Sequence, residues 1–478
     1  MECETGLRAF ERLPHPKPAR VMLECADPMR LVLLLAFGLG VALQLLLPAW
    51  MGEDELWHVE YATLIARGAS PLAAASHDRA WFEAQLEYQP LSLVLIQRRF
   101  DRVPPARLAS LQTEILDAAR ANGFSRQVDW ASDLTGADSF DHVAPGFSAA
   151  HQPPFYYLVV GWTARLLGAH SPTSVLRVGR ALALLAFVLA VFATGRTALR
   201  LGLTEEAASV SALVLVLWPQ YARGAAVVNN DVFARLFAAL ALWAAIAALA
   251  ARLRRAPDSD LSVRLTATAL FALFAGLALL SKPTAVAVPL GAGLVLVLAG
   301  RSWRWRAGLL LGVLGVLAFL FRTWDASPVT PPSFASLGAR VSAAGSGGFW
   351  RALVGTATGS FAWDSRSLPS ALILTAAAAL LALAGVGFAD LWRQERASWV
   401  TWVLCLPLVL QLGSVVLRGV PVGRYLFPAL PALALLVGHA WMHSPRRTRP
   451  LFLVLLAFSS IYLSAGLFLH HHLLQELP

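Results

Sequence analysis

Three acids in succession, Glu53, Asp54 and Glu55, are followed by His58. Like charges held together raise one another's pKa, and a carboxylate raised in this way works as a general base near neutral pH. His58 comes four residues after Asp54 and shares its face if the segment is helical. A carboxylate–imidazole pair there also has the donor atoms for a divalent metal. The same residues read equally as a solvated acidic helix end at a membrane boundary. Further along, Asn229, Asn230 and Asp231 form a helix-start signal, because Asn and Asp are favoured caps. Asn230 reads as the cap and Asp231 as a first-turn acid stabilised by the helix dipole. Arg223, about two turns earlier, is placed to pair with Asp231 or to bind an anion.

The cations follow a pattern of their own. Lysine occurs only at Lys17 and Lys282, and Lys282 directly precedes Pro283. Proline opens helices, and a helix N-terminus presents free N–H groups that bind phosphate. Snorkelling toward lipid headgroups is the alternative for Lys282. Arg424 and Tyr425 repeat the device after Gly423, as an anion site or as an interfacial Arg/Tyr anchor. His151, ahead of Pro153 and Pro154, reads as a hydrogen-bonding residue rather than a catalyst. Asp364 adds an acid inside a stretch rich in Ser, Gly and Pro. Acids that activate a hydroxyl, together with cations that hold phosphate, suit a reaction on a phosphate-bearing lipid. No Walker loop and no dinucleotide fingerprint is present, so an activated donor would come from the membrane.

Elements long enough to carry these groups are evident from composition. The chain has 478 residues, 57% hydrophobic and only 14% charged, where soluble domains carry about 25% charged residues. That excludes an ordinary cytosolic enzyme, a disordered chain and a secreted disulfide scaffold. Cys3, Cys25 and Cys405 fit no metal motif. The net charge of +10 sits in short arginine clusters between apolar runs, which is the pattern of membrane orientation signals rather than of a nucleic-acid surface. The expectation is an all-α polytopic membrane protein. Heavy use of Arg, Ala, Leu and Gly points to a GC-rich bacterial genome.

The run over 31–50 follows a basic N-terminal segment and reads as a signal anchor rather than a cleaved peptide. Runs long enough to span, about 17–20 residues, recur near 180–199, 206–222, 232–251, 263–280, 283–299, 307–321, 369–388, 398–417, 424–442 and 450–469. A shorter run lies at 153–168. Arginine clusters at 196–200, 252–255, 301–306, 393–396 and 446–449 fall in every second connection. They are all cytoplasmic only if 153–168 does not cross, so this run is expected to form a juxtamembrane or re-entrant helix. The expected topology has eleven spans, with the N-terminus inside and the C-terminus outside. It divides into a cytoplasmic segment 1–29, a membrane module 30–321 that includes an outer loop 51–152, a second outer loop 322–368, and C-terminal helices 369–478. Within the first loop, 107–121 is amphipathic. The chemically interesting groups then share one leaflet, a coincidence not used in setting the topology.

These residues carry a family likeness. The chain resembles the GT-C superfamily of integral-membrane glycosyltransferases, which includes protein O-mannosyltransferases and the aminoarabinose transferases of lipid A. The likeness rests on Asp54 and Glu55 after the first span, His151 through Pro154 before a short helix, Asp231 in a second outer connection, and Gly423 through Pro428. It is closer still to a bacterial GT-C-like family of unknown function, similar also at His58, Tyr157, Asn229, Asn230, Ser281, Lys282, Phe361, Trp363 and Asp364. Ala362 departs from the glycine expected there. The resemblance implies a polyprenyl-phosphate-sugar donor and an acceptor hydroxyl on an envelope glycan, lipid or protein. Asp54 would be the general base, with Glu55 assisting or holding a metal. Asp231 would orient the acceptor or complete a metal site for Mg or Mn. Lys282, Arg424 and Arg223 would stabilise the leaving phosphate. Localisation would be the bacterial inner membrane, with the site facing the periplasm. A flippase for a lipid-linked intermediate is the rival; it requires charges in mid-span and helices broken near the bilayer centre. A scaffold subunit of an envelope complex, which needs no aligned acids, is a third reading.

Overall fold

Among the described residues, the apolar runs fold as helices. The computed structural model describes residues 27–47, 49–50, 54–71, 105–121, 149, 152–253, 261–299, 347, 349–350, 353, 370–394, 399–418, 423–450, 453–454 and 457. His151, Asp364 and the expected span 307–321 lie outside them, as do most of the second outer loop and of the expected span 450–469. The described residues form no strand, as an all-α membrane protein requires.

Helix α1 (Pro28–Leu46) starts where the Asp27 side chain accepts from the Met29 N–H at 3.0 Å, with Pro28 at the first position, where no N–H is missed. Two short helices follow, α2 (Glu55–Ala66) and the amphipathic α3 (Pro105–Ala121). Leu108, Leu111, Ile115 and Ala119 of α3 are buried, at the helical spacing that the amphipathic pattern predicts. Then come α4 (Phe155–Leu166) and the long α5 (Pro172–Arg200), capped by Ser171. Helix α4 has 12 residues, about 18 Å of rise against an apolar slab of about 30 Å. It packs on α2, equally short. Gly161 makes that contact possible: a Cβ there would meet Ile65 and the Ala62 carbonyl at under 3 Å.

The remaining helices are α6 (Glu205–Leu217), α7 (Pro219–Arg223), α8 (Asp231–Leu253), α9 (Leu261–Ser281), α10 (Ala287–Ala299), α11 (Ser370–Gln394), α12 (Trp399–Arg418) and α13 (Leu430–His443). Turns of 3-10 helix at Gly224–Ala226, Pro283–Val286 and Gly423–Ala429 join several of them. Among the described residues, six segments are long and apolar enough to cross a membrane: Pro28–Leu46, Pro172–Arg200, Asp231–Ala251, Ser262–Ser281, Trp399–Leu417 and Arg424–His443. Three expected spans that fall on described helices are not among the six: 206–222, 283–299 and 369–388, the last of which overlaps α11. The run 206–222 breaks at Pro219, whose ring excludes a continuing helix and forces Trp218 into extended backbone. The run 283–299 opens with four residues of 3-10 helix before α10 begins. Helix α8 is the centre of the bundle, packed against α5, α9, α10 and α12.

Candidate active site

Asp54 stands immediately before α2 with φ of 61°, a left-handed conformation that few residues other than Gly and Asn/Asp adopt. Its Oδ2 accepts from Arg424 Nη2 at 2.8 Å. Burial pushes the Asp54 carboxyl up, but the Arg424 guanidinium, with Lys282 beyond it, outweighs burial and holds it below its ordinary value. The sequence had suggested the opposite direction, from neighbouring acids. The neighbouring acid Glu55 turns away. It is fully buried and clasped by Arg180 of α5, Nε to Oε1 at 2.9 Å and Nη2 to Oε2 at 2.8 Å. Its Oε1 also accepts from the Val228 N–H at 2.9 Å, and Arg180 Nη1 donates to the Leu47 carbonyl at 2.7 Å. Glu55 thus ties the start of α2 to α5, to the end of α1 and to the segment before α8.

Asp231 opens α8 and is also buried. Lys282 Nζ lies 2.7 Å from its Oδ1, and Arg424 Nε lies 3.9 Å from its Oδ2. Four charges therefore alternate in a row: Asp54, Arg424, Asp231, Lys282. Lys282 sits in extended backbone between α9 and the Pro283–Val286 turn. Its charge is spent on a carboxylate, where the sequence had suggested a helix N-terminus open to phosphate. Tyr425 lies beside both cations, its ring 5.7 Å from Lys282 Nζ and 5.7 Å from the Arg424 guanidinium carbon. Buried Gln411 of α12 donates to the carbonyls of Thr284 and Tyr425, which locks the Lys282 and Arg424 turns together.

His58 is buried one turn into α2, with Nδ1 2.8 Å from the Tyr157 hydroxyl. Tyr157 stacks in turn on Tyr61, centroids 4.0 Å apart. Burial pushes the imidazole down to about 3, so His58 is neutral at physiological pH. Asn230 does not cap α8; its Nδ2 donates to the Ser281 carbonyl at 3.0 Å and to Gln152 at 3.3 Å. The neighbouring Asn229 takes the capping role, its Oδ1 accepting from the Asp231 N–H at 2.9 Å. Arg223 Nη1 is 3.4 Å from Gln220 Oε1.

Arg223 and Asp231 line one cavity of about 40 Å³, together with Gln220, Asn229, Arg235 and Arg424. Arg235 escaped the sequence reading because it lies inside an apolar run. It is buried one turn after Asp231, over the rings of Tyr221 at 5.2 Å and Phe427 at 4.4 Å. Gly224 makes room for it, since a Cβ there would strike the Arg235 guanidinium. The signal available was the i,i+4 spacing of Asp231 and Arg235, an acid–base pair on one helical face. Three guanidiniums against one carboxylate give the cavity wall a positive balance, close to the Asp54 carboxylate.

Comparison with solved structures sets this geometry in a known architecture. The apo oligosaccharyltransferase of Archaeoglobus fulgidus superposes with a TM-score of 0.51 at 14% identity, covering 92% of this chain and 55% of that one. The chain shares the fold of that archaeal oligosaccharyltransferase. Two further structures of the archaeal enzyme lie near it. One, in complex with an inhibitory peptide and a dolichol-phosphate, has a TM-score of 0.49 at 13% identity, covering 92% of this chain and 56% of that one. The other, in complex with Zn and sulfate, has a TM-score of 0.48 at 14% identity, covering 91% and 52%. The chain thus spans little more than half the length of the solved proteins it matches. The model of the dolichyl-phosphate-mannose-protein mannosyltransferase family matches residues 151–324. None of the curated proteins matches. The matched segment holds Arg223, Asn230, Asp231 and Lys282. Asp54 and Arg424 lie outside the match in sequence but meet that segment in space. A divalent ion shared by Asp54 and Asp231 does not fit the side chains as they stand. The Arg424 guanidinium occupies the place between the two carboxylates, and Lys282 closes on the second.

Proposed function

We propose that this chain is a glycosyltransferase that moves a sugar from a polyprenyl-phosphate donor to an acceptor hydroxyl at the periplasmic face of a bacterial inner membrane. The observation that carries the reading is one juxtaposition: the Asp54 carboxylate beside a cavity walled by Arg223, Arg235 and Arg424. The donor phosphate takes the cation-lined cavity. The acceptor oxygen attacks the anomeric carbon, the carbon–oxygen bond to phosphate breaks, and the lipid phosphate leaves as an anion. Cations already aimed at that anion lower the barrier without reorganisation. The acceptor proton goes to Asp54. A phosphate entering the cavity competes for Arg424 and weakens its hold on Asp54, so donor binding raises the basicity of the carboxylate at the moment a base is needed. Asp231 and Lys282 hold Arg424 in place, and Glu55 positions Asp54 through the Arg180 clasp. No step in this reading is routed through a metal.

The test is transfer of radiolabelled sugar from polyprenyl-phosphate donors in membranes containing the chain, beside an Asp54→Asn control. Label appears in a new product with the natural chain and falls at least about a hundredfold in the control. If no donor yields product while donor lipid crosses the bilayer equally with both proteins, the transferase reading fails and the flippase takes its place.

A further inference from the structure

A second cluster lies at the far end of the bundle. Helix α13 leaves the Gly423–Ala429 turn that carries Arg424 and runs for 14 residues, about 21 Å. Near its last turn His439 and His443 share one face at i,i+4 spacing, their rings edge to face with centroids 4.9 Å apart. Helix α11 brings Asp390 against them. Its Oδ2 is 3.5 Å from His439 Nε2 and 3.4 Å from His443 Nε2, and one ligand atom from each of the three residues falls within 4.8 Å of the others.

Those separations suit a particular guest. Zinc binds imidazole nitrogen at about 2.0–2.1 Å and carboxylate oxygen at about 2.0–2.2 Å, tetrahedrally, so neighbouring ligand atoms stand about 3.4 Å apart. The two carboxylate–imidazole distances already match that edge. His439 supplies an independent sign. Its side chain is only 9% exposed, and neither ring nitrogen makes a hydrogen bond. A buried polar atom left unsatisfied is costly, and a metal on Nε2 would satisfy it. His443 is 38% exposed, which leaves a way in and room for water as a fourth ligand. The scaffold is stiff. A Cβ on Gly387 would strike the Leu436 carbonyl, and one on Gly438 would strike Ser211 of α6. The helices thus touch backbone to backbone within about a turn of the three ligands.

We propose that Asp390, His439 and His443 form a zinc-class divalent metal site that clamps α11 to α13 at the end of the bundle away from Asp54. The site is independent of the transferase reading. The test uses the full chain purified in detergent, stripped with a chelator and titrated with Zn²⁺, then with Co²⁺ for its visible spectrum. The expected result is one high-affinity ion per chain, a rise in Tm on binding, and a cobalt band typical of nitrogen and oxygen ligands. Asp390→Asn and His443→Ala each weaken binding at least tenfold and abolish the band, while their metal-free Tm stays near that of the natural chain. A variant with His470, His471 and His472 all changed to Ala retains the site. Absence of a high-affinity ion overturns the proposal. So does binding that survives Asp390→Asn or vanishes with the histidine run. A loss of metal-free Tm in both single variants also overturns it, because the cluster is then a plain imidazole–carboxylate contact.

Discussion

Asp54 and Arg424 are 370 residues apart in sequence and 2.8 Å apart in space, so the behaviour of one is set by the other. Removing the guanidinium leaves burial as the dominant influence on the Asp54 carboxyl. Arg424→Ala should therefore move the acid limb of the pH profile of kcat/KM upward. An unmoved limb would show that Asp54 is not the group titrating. Lys282 and Asp231 form a buried pair, and breaking such a pair costs about 3–5 kcal/mol because one charge is stranded. Lys282→Met should lower Tm sharply. Adding Asp231→Asn should recover much of that loss while transfer stays low, since Arg424 then lacks its second anchor. Denaturation of the two variants beside an activity assay separates the effects. Residue types were the legible part of this site: Asp54, Asp231, Lys282 and Arg424 stand out at run boundaries. Their pairing was not legible, because neither periodicity nor charge says which helix ends meet. Glu55 shows the difficulty, since it adjoins Asp54 in sequence yet belongs to Arg180, 125 residues on.

Helices α2, α3 and α4 form the short layer over this end of the bundle, and one buried acid controls its seam. Glu60 of α2 accepts from Gln112 of α3 at 2.9 Å. Burial pushes its carboxyl up to about 7, with the Gln112 bond pulling the other way. A folded-state pKa above the ordinary 4.5 means that the folded chain binds the extra proton between those values. Stability therefore falls as pH rises from about 4.5 to 7 and stays lower above. The penalty is on the order of 3 kcal/mol. Glu60→Gln keeps an acceptor for Gln112 and removes the charge. Its Tm at pH 8 should exceed that of the natural chain, and the difference should vanish near pH 4.5. A scan of Tm against pH in detergent decides it, and equal curves would place Glu60 in water. At this scale the amphipathic stripe of α3 was readable from the 3.6-residue period alone. The break at Pro219 was readable in principle, since the residue before proline leaves the helical region, but the unbroken apolarity of 206–222 hid it. Arg235 was hidden by the same averaging.

Two polar centres of the described residues, the charge row at Asp54 and the histidine–aspartate cluster near His443, lie at opposite ends of α13. If α13 crosses the membrane, as its candidate span Arg424–His443 allows, the two ends face different compartments. The arginine clusters say which. Arg446, Arg447 and Arg449 follow α13 directly, and positive charge is retained on the cytoplasmic side, so we propose that the Asp54 end faces outward. Exposed positions at each end make this testable: Ser70, beyond α2, and Thr448, beyond α13. In a background with Cys3, Cys25 and Cys405 replaced, Ser70→Cys should react with a membrane-impermeant maleimide on intact spheroplasts. Thr448→Cys should react only after the membrane is opened. The reverse pattern would put the charge row in the cytoplasm. An acceptor and donor would then have to meet there, beside soluble nucleotide-sugars, and the case for a lipid-linked donor would lose its physical basis. Labelling of both from outside would mean that α13 does not cross. The alternation of arginine clusters would then be a solvated face rather than a record of insertion.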